Sequence, residues 1–456
     1  MGMGAFDRIL FNLPEVEAPT EKKLPLKLKL KWTFVVLVLF FVLGLVPLYG
    51  ADASVLQQFE ILSVILGASF GSIITLGIGP IVTASIILQL LNGSGLFKFD
   101  TSTPLGRKRF QGVQKILVYA FIIIESFVFV MIGGLSPEAG VSPLLIVFQV
   151  CLGGIMIVFM DDLLTKWGIG SGVSLFIAAG VSQTIFVQTI NWLPSPTNPD
   201  ISVGAIPALI QSLARGDPQT AALMFAGVAA TLIVFLIAVY AQSMKIEIPL
   251  TLARVRGYSF RWPIPFIYTS NMPVILVAAL LANVQMWAHL LQNWGHPWLG
   301  TFSGGSPVTG FVLWVTPQNI VSSIIQGSFT WSLVGHSLVY LVFLMSGAVL
   351  FSWFWVQTSG QDARSQAKQI MASGLSIPGF RKDIRMLEHL LNRYIQPLTI
   401  MGALAVGFLA ALADLTGAFG GGTGILLTVM IVYRMFEDLS RHHAEELMPV
   451  MKRFGK

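Results

Sequence analysis

Glu125 lies within a long apolar run, FIIIESFVFV (121–130). An acid placed in lipid is costly and is normally paired or functional, and its expected partners are Thr83 and Asn283 in a polar cluster between helices. The only cysteine, Cys151, excludes an intrachain disulfide and any Cys-rich metal site. The six histidines stand at 289, 296, 336, 389, 442 and 443, with no HExxH or comparable ligand spacing. No metal and no cofactor is therefore expected. Two glycine-rich turns, GIGSG (168–172) and GGGTG (420–424), have the composition of phosphate cradles. Neither follows a strand or leads into the Lys-Ser/Thr pair of a nucleotide loop. No pair of intramembrane aspartates, nor a serine with a histidine, points to a membrane hydrolase. Catalysis is not expected, and the question becomes what the apolar segments position.

Those segments dominate the chain. Of 456 residues, 54% are AVILMFWYC, and only 11% are charged, against roughly 25% charged in a soluble domain. So few charges cannot clothe a soluble surface around that much apolar area. A polytopic membrane protein is implied. A hydrocarbon core of about 30 Å needs about twenty apolar residues per helix. Candidate spans are 32–49, 73–91, 113–134, 143–163, 170–190, 219–241, 268–291, 332–356, 394–412 and 420–438. Runs such as 223–240 do not alternate as the strands of a membrane barrel would. The first span is too long and begins too far along the chain for a cleavable signal peptide, and none is expected.

The basic residues test this arrangement independently. Segments 1–31, 92–115, 161–169, 241–267, 357–393 and 434–456 hold 27 of the 28 Lys and Arg residues, whereas the alternate set of loops holds only Arg215. Lys and Arg are retained on the cytosolic side, which predicts a multi-pass membrane protein with both termini cytosolic.

Ten spans divide five plus five, so the halves would be inserted in opposite orientations, as in many proteins that move something through a bilayer. A shift of five spans places GIGPIVTAS (77–85, with Pro80) on SNMPVILVAA (270–279, with Pro273), and GIGSG on GGGTG. Spans 2, 5, 7 and 10 are also the richest in Gly, Pro, Ser, Thr and Asn. Interrupted helices at matching places of two halves point to a central pathway; close helix packing on small residues is the plainer alternative. The expected organisation is a cytosolic segment 1–31, an N-terminal half 32–190, an external loop 191–218, a C-terminal half 219–438 with cytosolic loops 241–267 and 357–393, and a cytosolic tail 439–456. Residues 55–66 (VLQQFEILSVIL) would reach only about 18 Å as a helix, too short to span, and read as interfacial or re-entrant.

Several long stretches closely resemble the SecY family, the channel subunits of protein-conducting translocons. They are ITLGIGPIVTASIILQLL (from 74), GIGSGVSLFIAAGVSQTIF (168–186), IEIPLTLARVRG (246–257), SNMPVILVAALLANVQ (270–285) and GGGTGILLTVMIVYRMFE (420–437). The resemblance runs in order from LPEVEAP (13–19) to the last span, and PEVEAP and RSQAKQI (364–370) look archaeal. It implies an all-α clamshell of ten helices in two inverted halves around an hourglass pore. By motif, the constriction would be lined by Ile78, Val82, Val173, Ile177, Ile275 and Leu427. Thr83, Glu125 and Asn283 would be the polar cluster of a lateral gate. Residues 55–66, with Phe59, Glu60, Ile61, Leu62, Val64 and Ile65, would be the plug. Arg254, Arg256, Arg381 and Lys382 would dock on a ribosome through rRNA contacts. The implied partners are SecE-like and Secβ-type small membrane subunits, the ribosome, a nascent or signal-bearing polypeptide and the lipid bilayer.

The leading expectation is a passive protein channel that also releases transmembrane segments sideways into lipid. A secondary transporter of a small solute or ion is the alternative, and a non-conducting ribosome scaffold a distant third. A solute site needs polar groups near the midplane, whereas a seal that accepts any sequence needs a deformable aliphatic wall. The candidate pathway residues are aliphatic. A scaffold would not need the repeated Gly/Pro interruptions.

Overall fold

The computed structural model describes residues 10, 12–20, 24–51, 71–93, 99, 104–131, 135, 137–138, 140–194, 201–252, 259–269, 272–293, 295–303, 306–372, 375–376 and 383–454. The chain separates into two units, 1–183 with 431–456, and 184–430. Among the described residues, seven helices are long and apolar enough to cross a membrane.

The first unit contains α1 (Leu26–Leu45), α2 (Gly79–Gly93), α3 (Pro104–Met131), α4 (Pro143–Trp167) and the start of α5 (Gly172–Ile190). In α1, Thr33, Val36, Phe40 and Leu43 are buried at helical spacing, while Phe34, Val38 and Leu45 on other faces are exposed. A helix apolar on both its packed and its open face suits a lipid surround. Phe40 stacks on Phe176 of α5 at 4.7 Å, and the Thr33 hydroxyl accepts the Ile169 N–H at 3.1 Å.

The second unit runs through α6 (Ala205–Arg215), α7 (Pro218–Ser243), β1 (Lys245–Leu252), β2 (Ser259–Pro265), α8 (Met272–Asn293), β3 (Phe302–Ser303) and β4 (Ser306–Pro307). It continues through α9 (Phe311–Val315), α10 (Ile320–Ile325), α11 (Trp331–Thr358), α12 (Ala363–Ala372), β5 (Leu375–Ser376), α13 (Ile384–Thr416) and the start of α14 (Gly422–Phe454). Its core joins α7, α8, α11, α13 and α14 through Val234, Val277, Leu344, Val406, Ala410 and Met430. A second cluster packs Ile248 and Ile264 of the sheet against Ala367, Leu391 and Leu398.

Several boundaries differ from the sequence expectation, each for a physical reason. The α3 helix begins at Pro104 rather than 113, and α13 at Ile384 rather than 394. Charged residues end an apolar run but not a helix, whose backbone bonds continue into water. For the same reason α14 extends to Phe454, so the expected tail from 439 continues the helix. The second span starts its helix at Gly79, not 73. Residues 71–78 form tight turns, with Thr75 N–H bonded to Ser72, Gly77 to Ile74 and Gly79 to Leu76, and Gly71 and Gly77 at positive φ supply the reversals. Segment 241–267, expected as a cytosolic loop, contains strands. It folds as the β1–β2 hairpin, with Lys245 opposite Pro265.

Candidate functional site

In the first unit the peptide leading into α2 is buried: Ile74, Thr75, Leu76 and Ile78 are all within 2% exposure. It rests on α4, where Gly153 faces the Ile73 carbonyl oxygen so closely that no β-carbon fits. Its neighbour Gly154 packs on Ile122 of α3, where a β-carbon would meet a methyl at 3.0 Å. The helix then starts at Gly79-Pro80, and the Val82 N–H bonds to the Ile78 carbonyl at 3.1 Å. The Thr83 side chain is hydrogen-bonded to Glu125, and the Gln114 amide donates to the Ser85 hydroxyl at 2.7 Å. Both bonds tie α2 to α3.

The start of α5 follows a turn in which Gly170 has φ +76°. Asp161, near the end of α4, accepts the Val173 N–H at 2.9 Å and also that of Gly172. A β-carbon on Gly172 would lie 2.6 Å from the Asp161 Cα. Helix N-termini leave their first N–H groups without intrahelical partners, and here a side chain from the preceding helix supplies the acceptor.

The second unit repeats both arrangements with different residues. The peptide before α8 meets Gly402 of α13, where a β-carbon would lie 2.7 Å from the Phe266 carbonyl oxygen. Gly407 of α13 packs on α11, where a β-carbon would come 3.0 Å from the Met345 Cα. The buried Ser352 hydroxyl bonds to Thr269 at 2.8 Å and to the Thr399 carbonyl at 3.3 Å. Ahead of α14, Gly420 and Gly421 have φ +78° and +73°. Asp414, in the last turn of α13, accepts the Gly422 N–H at 2.6 Å and the Tyr340 hydroxyl at 2.7 Å. A β-carbon on Gly422 would collide with the Ala410 carbonyl.

Of the residues expected to line a constriction, Ile78, Val82, Val173 and Ile177 lie in the first unit, and Ile275 and Leu427 in the second. Ile78, Ile177 and Leu427 are buried; Val82, Val173 and Ile275 are half-buried. Thr83 and Glu125 are brought together. Asn283 is on α8, with its side chain outside the description. The expected plug residues Phe59 to Ile65, and Arg254, Arg256, Arg381 and Lys382, lie outside the described residues. The strands flanking the two basic loops do pair: β1 bonds to β5 with Thr251 opposite Ser376 and Leu252 opposite Leu375, giving the order β2-β1-β5. Among the described residues no group of three or more His, Cys, Asp or Glu is placed to hold a metal ion.

Sequence reasoning overlooked Asp161 and Asp414. A signal was present, because each acid closes a span just ahead of a glycine-rich motif. It also overlooked the seating of PEVEAP. Glu15 takes Lys166 at 3.1 Å and Lys115 at 3.3 Å, and Lys115 bridges to Asp162 at 2.7 Å. Lys166 also donates to the Val16 carbonyl, and Trp167 Nε1 to that of Glu17 at 2.9 Å. The hydrogen bond from Lys166 holds the Glu15 carboxyl below its usual range.

The SecY family model matches residues 72–436, four-fifths of the chain. The chain belongs to the SecY family. Immediately before that match, residues 38–71 match the plug domain of Sec61p, a region that contains the expected plug 55–66. The protein translocase subunit SecY of Pyrococcus furiosus is 44% identical, over 99% of this chain and all of that protein. A solved structure described as that of a protein conducting channel superposes with a TM-score of 0.81 at 43% identity, covering 97% of this chain and 98% of that one. Sec61 in the canine ribosome-channel complex from the endoplasmic reticulum gives a TM-score of 0.78, also at 43% identity and the same coverage. The duplicated seating of α2 with α8, and of α5 with α14, concerns the four helices that carry Val82, Val173, Ile177, Ile275 and Leu427, with Ile78 immediately ahead of α2.

Proposed function

We propose that this chain is the channel subunit of a protein translocase, passing polypeptides across the cell membrane and releasing transmembrane segments into lipid. The observation that carries this reading is the SecY match over 72–436 with the plug-domain match directly ahead of it. Ile78, Val82, Val173, Ile177, Ile275 and Leu427 form the constriction. Aliphatic side chains give water and ions no hydrogen-bond partner, so a narrow ring of them dewets and blocks ions. They also move aside for a passing chain without stranding a charge. Residues 55–66 back that seal. Thr83 and Glu125, joined by Asn283, hold the lateral gate shut. The basic loops around Arg254, Arg256, Arg381 and Lys382 face the cytosol, as do both termini, and bind the rRNA backbone of a ribosome. SecE-like and Secβ-type subunits complete the complex.

The test is ion conductance of the reconstituted complex in planar bilayers, with translocation of a reporter polypeptide measured in parallel. Replacing Ile78, Val82 and Ile275 together by Ser is expected to admit ions in the absence of substrate. Conductance no greater than the parent's would remove the ring assignment and reopen the small-solute transporter.

A further inference from the structure

We infer that Asp161 and Asp414 are paired positioning residues, each fixing the start of one pore helix from the end of the helix before it. The inference rests on the channel reading above and adds residues that reading does not use. Asp161 holds α5, which carries Val173 and Ile177, and its acceptor bond is made to the Val173 backbone itself. Asp414 holds α14, which carries Leu427, through the Gly422 N–H.

Four observations converge. Each acid sits on the helix immediately preceding the one it holds. Each receiving helix opens with a glycine against which no β-carbon fits. Each is entered through a glycine at positive φ, Gly170 in one case and Gly420 with Gly421 in the other. Each acid stands at a wider anchor: Asp414 is itself bonded by Tyr340 of α11, and Asp162, the residue next to Asp161, is bonded by Lys115 of α3. The two constructions share a plan without sharing their contacts, since one acid takes two N–H groups and the other takes one N–H and a phenol. An ordinary N-cap comes from the residue just before the helix. Here the acceptor comes from another span, so the bond sets where the pore helix begins relative to its support. A rotation or axial slip of α5 or α14 would break it and would carry the aliphatic side chains with it.

The experiment compares Asp161→Ala and Asp161→Asn, and likewise Asp414→Ala and Asp414→Asn, in the full chain purified with its small subunits and reconstituted in planar bilayers. Asparagine keeps an oxygen acceptor of the same reach and is also a good capping residue, while alanine removes the acceptor. The alanine variants are expected to raise resting ion conductance about fivefold, the population change that corresponds to one lost cap, and the asparagine variants to stay at the parent level. Equal leak from alanine and asparagine, or no leak from alanine, would overturn the inference. Should an alanine variant fail to accumulate, the serine variant is measured, because it keeps a polar acceptor but withdraws it by a bond. It is expected to leak more than the asparagine form, and equal conductance of the two would overturn the inference. Translocation of the reporter by the parent complex is the separate check on the channel reading, and its failure would count against that reading.

Discussion

Gly153 of α4 faces the carbonyl oxygen of Ile73 with no room between them for a side chain. That contact seats the peptide leading into α2, and Gly402 of α13 receives the Phe266 carbonyl of the peptide before α8 in the same manner. Overpacking a tight contact costs about 1–3 kcal/mol, more than the gain of about 1 kcal/mol from replacing a helical glycine by alanine. Gly153→Ala and Gly402→Ala are therefore expected to lower the thermal unfolding midpoint of the detergent-purified complex. Gly335→Ala on α11, with nothing within 4 Å of the new methyl, is expected to raise it. Thermal denaturation followed by loss of monodisperse protein checks the contrast, and a uniform response at the three glycines would defeat it.

The N-terminal strap should be released by acid. Glu15 titrates below its usual value because Lys166 and Lys115 favour its charged form. A depressed carboxyl contributes stability above its unfolded pKa of about 4.3, and that contribution is lost as pH falls through the folded value. Protection of residues 13–18 from proteolysis is thus expected to be constant at neutral pH and to fall below about pH 4. Glu15→Gln should show the acid behaviour already at pH 7. Protection independent of pH in the parent would remove Glu15 as the latch.

Thr83 and Glu125 act as a pair across α2 and α3. Removing one side-chain hydrogen bond of about 1 kcal/mol shifts a two-state equilibrium about fivefold. Thr83→Val and Glu125→Leu, each of which removes one partner of the bond, are each expected to ease gate opening by that order, read as export of a reporter with a weakened signal sequence. The double variant should do no more than either single one. Strictly additive effects would show that the two side chains work apart.

Strand β5 of segment 357–393 pairs with β1 of segment 241–267, and the proposed docking residues flank that pairing in sequence. Replacing Arg254, Arg256, Arg381 and Lys382 by Glu is expected to weaken ribosome association about tenfold or more at physiological salt and to flatten its salt dependence. Co-sedimentation across a salt series measures both. An unchanged slope would leave these charges with their topological role alone.

Composition and charge order sufficed for the membrane class, because hydrophobic length and Lys/Arg retention are properties of the local chain. Long motifs sufficed for the family. The glycine-rich turns and the prolines at 80 and 273 marked the four helices that the structure seats by duplicated contacts. Glu125 and Thr83 were legible because an intramembrane acid must find a partner. What sequence could not supply was the acceptor geometry. Aligning GIGSG with GGGTG puts Asp162 opposite Asp414, yet Asp161 bonds the helix start while Asp162 turns to Lys115. Adjacent residues on a helix point about 100° apart, so only the packing of α4 against α3 and α5 selects between them. The β1–β5 pairing was hidden for a related reason. Its partners are more than a hundred residues apart, and β5, two residues long, is a strand only where β1 satisfies its backbone bonds.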